Sequence, residues 1–254
     1  MGKKIVVTGR GGTGKTTFTS LTSRFLPPPM FLIDLDPDQS LAEMLGINLK
    51  DEGIKTISES LFDTIAARKD GTGGTMSVHD RIEFLLNSES LYEGDNFDLF
   101  VLGTKLTEGC YCAPDAIVSG AIPKIIDSYE YVMVDSPAGL EHLNREIVSD
   151  IDDLFVILDP SSKSLKHVER IKDITRSIGI TYNHLYLVGN YRFNEIFQKK
   201  LEASGETYLG NIEYDPDLAN YNLLGRSLSD LPEDSPACRS VKNILIKAVL
   251  VNSS

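Results

Sequence analysis

The chain has 254 residues, with 25 Lys and Arg against 37 Asp and Glu, and its net charge of -12 argues against broad electrostatic attraction to nucleic acid or anionic lipid. Hydrophobic residues at 41% and charged residues at 24% are ordinary for a globular protein, so neither disorder nor a membrane span is expected, and one domain over residues 1–254 is the natural reading. Three cysteines, Cys110, Cys112 and Cys238, make a poor disulfide framework and suit a reducing compartment; with no export signal behind MGKKIVVTGR, a cytoplasmic protein is expected.

The first apolar run, KIVVT at Lys4 to Thr8, reads as a buried strand, and GRGGTGKTT follows it from Gly9 to Thr17. Gly9, Gly14, Lys15 and Thr16 satisfy G-x-x-x-x-G-K-[ST] between a strand and a helix over Lys15 to Leu26, the context a phosphate-binding loop requires. Backbone N–H groups of Gly11, Gly12, Thr13 and Gly14 would face phosphates, Lys15 would neutralise their charge and Thr16 would ligate magnesium, with Thr17 completing the set. This predicts an ATP/ADP and Mg2+ site. After a rigid Pro27 to Pro29 connector comes a second strand, MFLID at Met30 to Asp34. In FLIDLDPDQ, Asp34 or Asp36 is placed to orient or deprotonate an attacking water, while Asp38 is expected to cap a helix N-terminus.

Residues 56–96 are longer than a simple crossover and contain the break KDGTGGT at Lys69 to Thr75, which predicts a helical elaboration of the same domain. Further strands are expected at Phe97 to Leu102, Tyr131 to Asp135, Leu154 to Leu158 and Leu185 to Gly189, and helices at 116–127, 141–149, 163–177 and 194–203. Continuous apolar runs alternating with helical patterns predict an α/β fold: a doubly wound, mostly parallel sheet flanked by helices on both faces, ligands lying beyond the carboxyl ends of the strands. Asp135, ending its strand in YVMVDSPAG, stands where a carboxylate would hold magnesium. Cys238 is expected to be a packed small residue, and Val241 to Ser254 a terminal helix laid on the sheet in preference to a membrane helix.

GCYCAPD, at 109–115, places Cys110 and Cys112 on a loop before a helix. One such pair supplies two thiolates, whereas zinc takes four ligands and Ni(II) commonly does. Two copies meeting across a twofold axis would supply four; the alternative is a pair of small buried apolar residues.

Together, GRGGTGKTT, DLDPDQ and VDSPAG resemble the deviant Walker A ATPases of the MinD/ParA and nitrogenase iron protein group, in motif order over nearly the whole chain. The resemblance implies ATP hydrolysis by a homodimer that sandwiches its nucleotides, with Asp36 as the hydrolytic aspartate, Asp135 as the magnesium residue and Asn190 as the adenine-recognising asparagine. Where the family has a lysine that reaches the partner's nucleotide, this chain has Arg10, which keeps the charge with a different, planar geometry.

GCYCAPD followed by VMVDSPAGLEHLNRE resembles the carbon monoxide dehydrogenase accessory proteins, the CooC-type nickel insertion ATPases. That resemblance implies a homodimeric metallochaperone holding Ni2+, or Zn2+, through Cys110 and Cys112. Its partner would be apo carbon monoxide dehydrogenase or the related acetyl-coenzyme A synthase complex. Neither nucleic acid nor stable membrane association enters this reading. Binding of ATP and of metal would each bias the other through the shared interface. Glu141 and His142 read as a helix-face pair, and His79, His167 and His184 are scattered without ligand spacing. Two other readings are a MinD/ParA-like ATPase of spatial organisation, which needs a lipid or DNA surface, and an iron-sulfur ATPase or reductase.

Overall fold

A computed structural model of the chain describes residues 2–69, 88–104, 125–138 and 150–252. Among the described residues eight strands lie in one sheet, β1 (Lys3–Gly9), β2 (Met30–Asp34), β3 (Leu91–Glu93), β4 (Phe97–Val101), β5 (Tyr131–Asp135), β6 (Asp150–Leu158), β7 (Thr181–Gly189) and β8 (Thr207–Asn211). Their order is β3-β4-β2-β5-β1-β6-β7-β8. Every neighbouring pair is parallel except β3 with β4. The expected doubly wound sheet is therefore present.

The helices are α1 (Lys15–Ser23), α2 (Ser40–Met44), α3 (Ile57–Lys69), α4 (Ser162–Ile178), α5 (Glu195–Glu202), α6 (Pro216–Leu223) and α7 (Pro236–Lys247). Side chains alternate across each strand, so the two faces of the sheet build separate cores. Ile5, Val7, Leu32 and Phe155 pack with Phe18 and Leu21 of α1, Leu41 of α2, and Val241, Ile244 and Leu245 of α7. Val6, Ile33 and Val156 face the other way, onto Ile57 and Leu61 of α3, Val168 and Ile171 of α4, and Leu201 of α5. Helices cover both faces, as a parallel sheet requires to keep its backbone and apolar side chains from water. The C-terminal helix packs on the sheet as expected. Among the described residues no helix is long and apolar enough to cross a membrane.

Several boundaries differ from the sequence pattern. The runs at 154–158 and 185–189 are only the carboxyl halves of β6 and β7, whose polar amino halves pair Asp150 with Thr181 and Asp153 with His184. Strands β3 and β8 sit at the two edges, where few apolar residues are needed, and had no signature. Helix α3 begins with a reciprocal cap: Thr56 N–H donates to Glu59 Oε2 at 2.8 Å and Glu59 N–H to Thr56 Oγ1 at 3.2 Å.

Asp38 does not cap α2. Gln39 occupies that position with a left-handed φ of 53°, and the cap comes from the end of β2, where Asp34 Oδ2 accepts from Leu41 N–H at 3.2 Å. The predicted helix at 141–149, most of that at 116–127, and residues 70–87 of the elaboration lie outside the described residues; Ile126–Ser128 forms a single 3-10 turn.

Candidate functional site

The loop from Gly9 to Thr16 leaves the central strand β1 and turns into α1 at the carboxyl end of the sheet. Gly9 has φ 156°, and a Cβ there would meet Ile157 O of β6 at 2.4 Å, so the chain passes its neighbour too closely for any side chain. Gly14, at φ 92°, is the N-cap of α1 and leaves the first turn without a side-chain cap or an acidic residue. An uncapped, positively polarised helix end is suited to phosphate. The loop is already knit together. Thr13 Oγ1 donates to Arg10 O at 2.8 Å, and Asn190 Nδ2, arriving from the end of β7, donates to Thr13 O at 2.7 Å.

Three neighbouring strands, β2, β5 and β1, deliver the charged groups. Lys15 is buried at the head of α1, with its Nζ 3.9 Å from Asp36 Oδ2, an ion-pair separation longer than a hydrogen bond. Asp34 and Asp135 end β2 and β5 as register partners. Burial drives both carboxyls above the ordinary range, Asp34 also feeling the charge of Asp135, while Thr16 and Lys15 draw Asp135 partly back.

Their surroundings separate the two roles. Asp34 accepts from the N–H groups of Asp36 (2.9 Å) and Leu41 (3.2 Å), so it organises the segment that carries Asp36. Asp36 accepts from Asp38 N–H at 3.2 Å through Oδ1 and has its other oxygen, Oδ2, 3.9 Å from Lys15 Nζ. Asp135 is fully buried and neither oxygen has a hydrogen-bond partner; Thr19, one of the nearby hydroxyls, donates to Lys15 O instead.

A buried carboxylate left this way carries a large desolvation cost, which a divalent cation would offset. The donor set fits magnesium, a hard ion commonly held by one or two protein oxygens plus phosphates and water. Thr16 and Asp135 would hold it. Among the described residues no group of three or more His, Cys, Asp or Glu forms a metal site of its own. Cys110 and Cys112 lie outside the described residues, as do His79, Glu141 and His142. Cys238 is fully buried, accepting from Arg24 Nη1 at 3.0 Å.

Arg10 is held within its own chain. Its Nη1 donates to Asp159 Oδ2 at 3.0 Å and to Ser161 Oγ at 3.4 Å, and Asp159 in turn accepts from Ser161 and Ser164. Those hydroxyls and the Arg10 charge outweigh desolvation and hold the Asp159 carboxyl below its ordinary value. Beside the loop lies a cavity of about 350 Å3, whose lining includes Gly12, Gly14, Thr17, Asn190 and Tyr191. The Asn190 amide is fixed by its bond to Thr13 O and by Tyr191 N–H, which donates to its Oδ1 at 2.5 Å. It keeps one N–H and one carbonyl lone pair, the pattern that pairs with adenine.

The sequence reading missed Asp159, Tyr191, Tyr214 and Asp215. Only the last had a local signal: Asp215-Pro216 is an N-cap followed by a first-turn proline.

Residues 2–186 match the AAA domain family. An uncharacterized ATP-binding protein of Methanocaldococcus jannaschii is 30% identical over 251 residues, covering 96% of this chain and 98% of its own. The carbon monoxide dehydrogenase accessory protein CooC of Rhodospirillum rubrum is 29% identical over 264 residues, covering 97% and 96%. Among solved structures, the septum site-determining protein MinD of Pyrococcus horikoshii complexed with Mg-ADP has a TM-score of 0.66 at 17% identity, with full coverage of both chains. A ParA family ATPase of Chlorobium tepidum has a TM-score of 0.69 at 16% identity, covering 94% of this chain and 97% of its own. The fold is thus that of the MinD and ParA proteins, and the chain belongs to the AAA domain family.

Proposed function

We propose that this chain is a single-domain ATPase that works as a homodimer, carries nickel on the Cys110 and Cys112 thiolates of both subunits, and supports nickel insertion into carbon monoxide dehydrogenase or a related acetyl-coenzyme A synthase complex. It acts in the cytoplasm without nucleic acid or a membrane. The observation that carries the ATPase reading is the buried, unpartnered Asp135 carboxylate set beside Thr16 and Lys15 under a phosphate-type loop. The near full-length likeness to the CooC accessory protein, joined to the Cys-Tyr-Cys sequence, supports the nickel reading.

In this scheme the amides of Gly11 to Gly14 and the ammonium of Lys15 grip the phosphates. Bound at Thr16 and Asp135, magnesium would supply charge neutralisation to the β and γ oxygens. Asp36 orients a water whose oxygen attacks the γ phosphorus. The bond to the β–γ bridging oxygen breaks, ADP leaves with that electron pair, and Asp36 or solvent takes the proton of the water. Asn190 reads adenine with its remaining donor and acceptor. Nickel is cargo, held by sulfurs that converge where two subunits meet.

The test is metal analysis with mass determination, with and without ATP and magnesium. The expected result is one Ni2+ per dimer in the wild type, and loss of nickel with ATP binding intact in a variant carrying Cys110→Ala and Cys112→Ala. Unchanged nickel retention in that variant, or full loading of a monomer, overturns the nickel reading. Failure of the wild type to bind ATP overturns the ATPase reading.

A further inference from the structure

We infer that Tyr191 and Tyr214 form an aromatic wall that stacks on the base of the bound nucleotide, so that two exposed rings, beyond the hydrogen bonds of Asn190, provide much of the affinity for the nucleoside half. The inference rests on reading the loop cavity as a nucleotide site, and it concerns how that site holds its ligand.

Tyr191 and Tyr214 are 40% and 60% exposed, in a chain whose other tyrosines named in the two cores are at least partly packed. Large exposed aromatic surface is costly in water and marks contact with a partner or ligand. Both residues line the cavity of about 350 Å3 that opens beside Gly12, Gly14 and Thr17. Their ring centroids are 5.5 Å apart at an interplanar angle of 51°, which makes a two-ring corner and leaves no slot between them. A flat heterocycle would therefore lie against the corner. Ile212, Leu218 and Ala219 supply further apolar lining.

Both rings are mounted on braced backbone. Tyr191 follows Asn190 directly and donates its N–H to that side chain, while Arg192 holds the ring from its own side, with its guanidinium carbon 5.2 Å from the ring centroid and Nε donating to the hydroxyl at 2.9 Å. Tyr214 precedes Asp215, whose buried carboxylate accepts from the N–H groups of Asp217 (2.9 Å), Leu218 (3.2 Å) and Ala237 (3.2 Å) and so fixes the turn from β8 into α6. Rings held in place before binding lose little entropy on contact with a base, so stacking on them adds to affinity. Stacking tolerates any base, so the wall supplies affinity and leaves selectivity to amides such as Asn190.

The experiment compares two probes on the full-length chain: ATP with magnesium, and ribose 5-triphosphate with magnesium, which keeps the sugar and phosphates and lacks the base. Tyr191→Ala and Tyr214→Ala should each weaken ATP roughly ten-fold, the corresponding Phe variants should retain wild-type affinity, and ribose 5-triphosphate affinity should be unmoved by any of them. Because the chain has no Trp, its emission comes from 10 Tyr, and ATP but not the base-free probe should quench a fraction that is missing in the double Ala variant. Unchanged ATP affinity in the double Ala variant overturns the inference. Equal weakening of both probes also overturns it, since the rings would then act through the loop. If the wild type binds neither probe, the nucleotide reading of the site fails first.

Discussion

Two fully buried aspartates sit at opposite ends of the same sheet, and their surroundings could hardly differ more. Asp153, toward the amino end of β6, has Lys3 Nζ 2.9 Å from one oxygen and His184 Nδ1 3.0 Å from the other. Asp135, at the carboxyl end of β5, has no hydrogen-bond partner on either oxygen. Neutralised by its own chain, the first carboxylate serves the fold. The second carries a burial cost that Thr16 and Lys15 offset only in part, and this marks it as half of a binding site. Burial alone would not have told them apart.

The comparison can be broken most sharply at Asp36. Asp36→Asn should lower kcat for ATP hydrolysis by about 10^2-fold or more while leaving ATP affinity within a few-fold, measured by phosphate release and equilibrium binding. A preserved kcat would remove the carboxyl end from the chemistry. Asp135→Asn should abolish magnesium-dependent nucleotide binding and yet stabilise the metal-free protein at neutral pH. Burial raises the Asp135 pKa from 3.8 to about 7. A carboxyl raised by folding contributes stability that is complete below about pH 4 and is lost as pH climbs through about 7. Thermal unfolding of the wild type without metal should therefore weaken over that window, and the Asn variant should flatten the slope.

Asp153→Ala should do the reverse, costing roughly 1–3 kcal/mol in urea unfolding with kcat unchanged, because it strands Lys3 and His184 and touches nothing at the site. The smallest effect is expected at the Arg10 and Asp159 pair, whose side chains are 36% and 34% exposed. Arg10→Ala should lose about 0.2–1 kcal/mol of stability, and a double-mutant cycle with Asp159→Ala, which also frees the Ser161 and Ser164 hydroxyls and so costs more, should return a coupling of that size.

What the sequence made legible follows from the same contrast. Central strands declared themselves because burial on both faces demands unbroken apolar runs such as KIVVT and YVMVD. The phosphate loop did so because a Cβ at Gly9 would come within 2.4 Å of Ile157 O on β6, and φ 92° at the helix cap favours glycine. The polar amino halves of β6 and β7 were hidden, since Asp150, Asp152 and Asp153 look like loop until Thr181, Asn183 and His184 appear opposite them. Motif order could nominate both Asp34 and Asp36 for water, and only the hydrogen bonds to Asp36 and Leu41 showed that Asp34 is occupied as a brace. The Tyr191 and Tyr214 wall was illegible because its members come from the ends of two different strands, and no spacing rule joins them.

Strand β1 pairs with β5 through Lys3 and Tyr131 and with β6 through Ile5 and Asp153. On a ribosome, therefore, β1 must wait until β5, Tyr131–Asp135, has been made before it has a neighbour. Loop closure over such separations is slow, and until then the strand has two bare edges inviting wrong pairings. Acquisition of full nucleotide affinity by a nascent chain would accordingly be a late event, arriving with the ends of β7 and β8 that carry Asn190 and Tyr214, and would time the completion of the sheet.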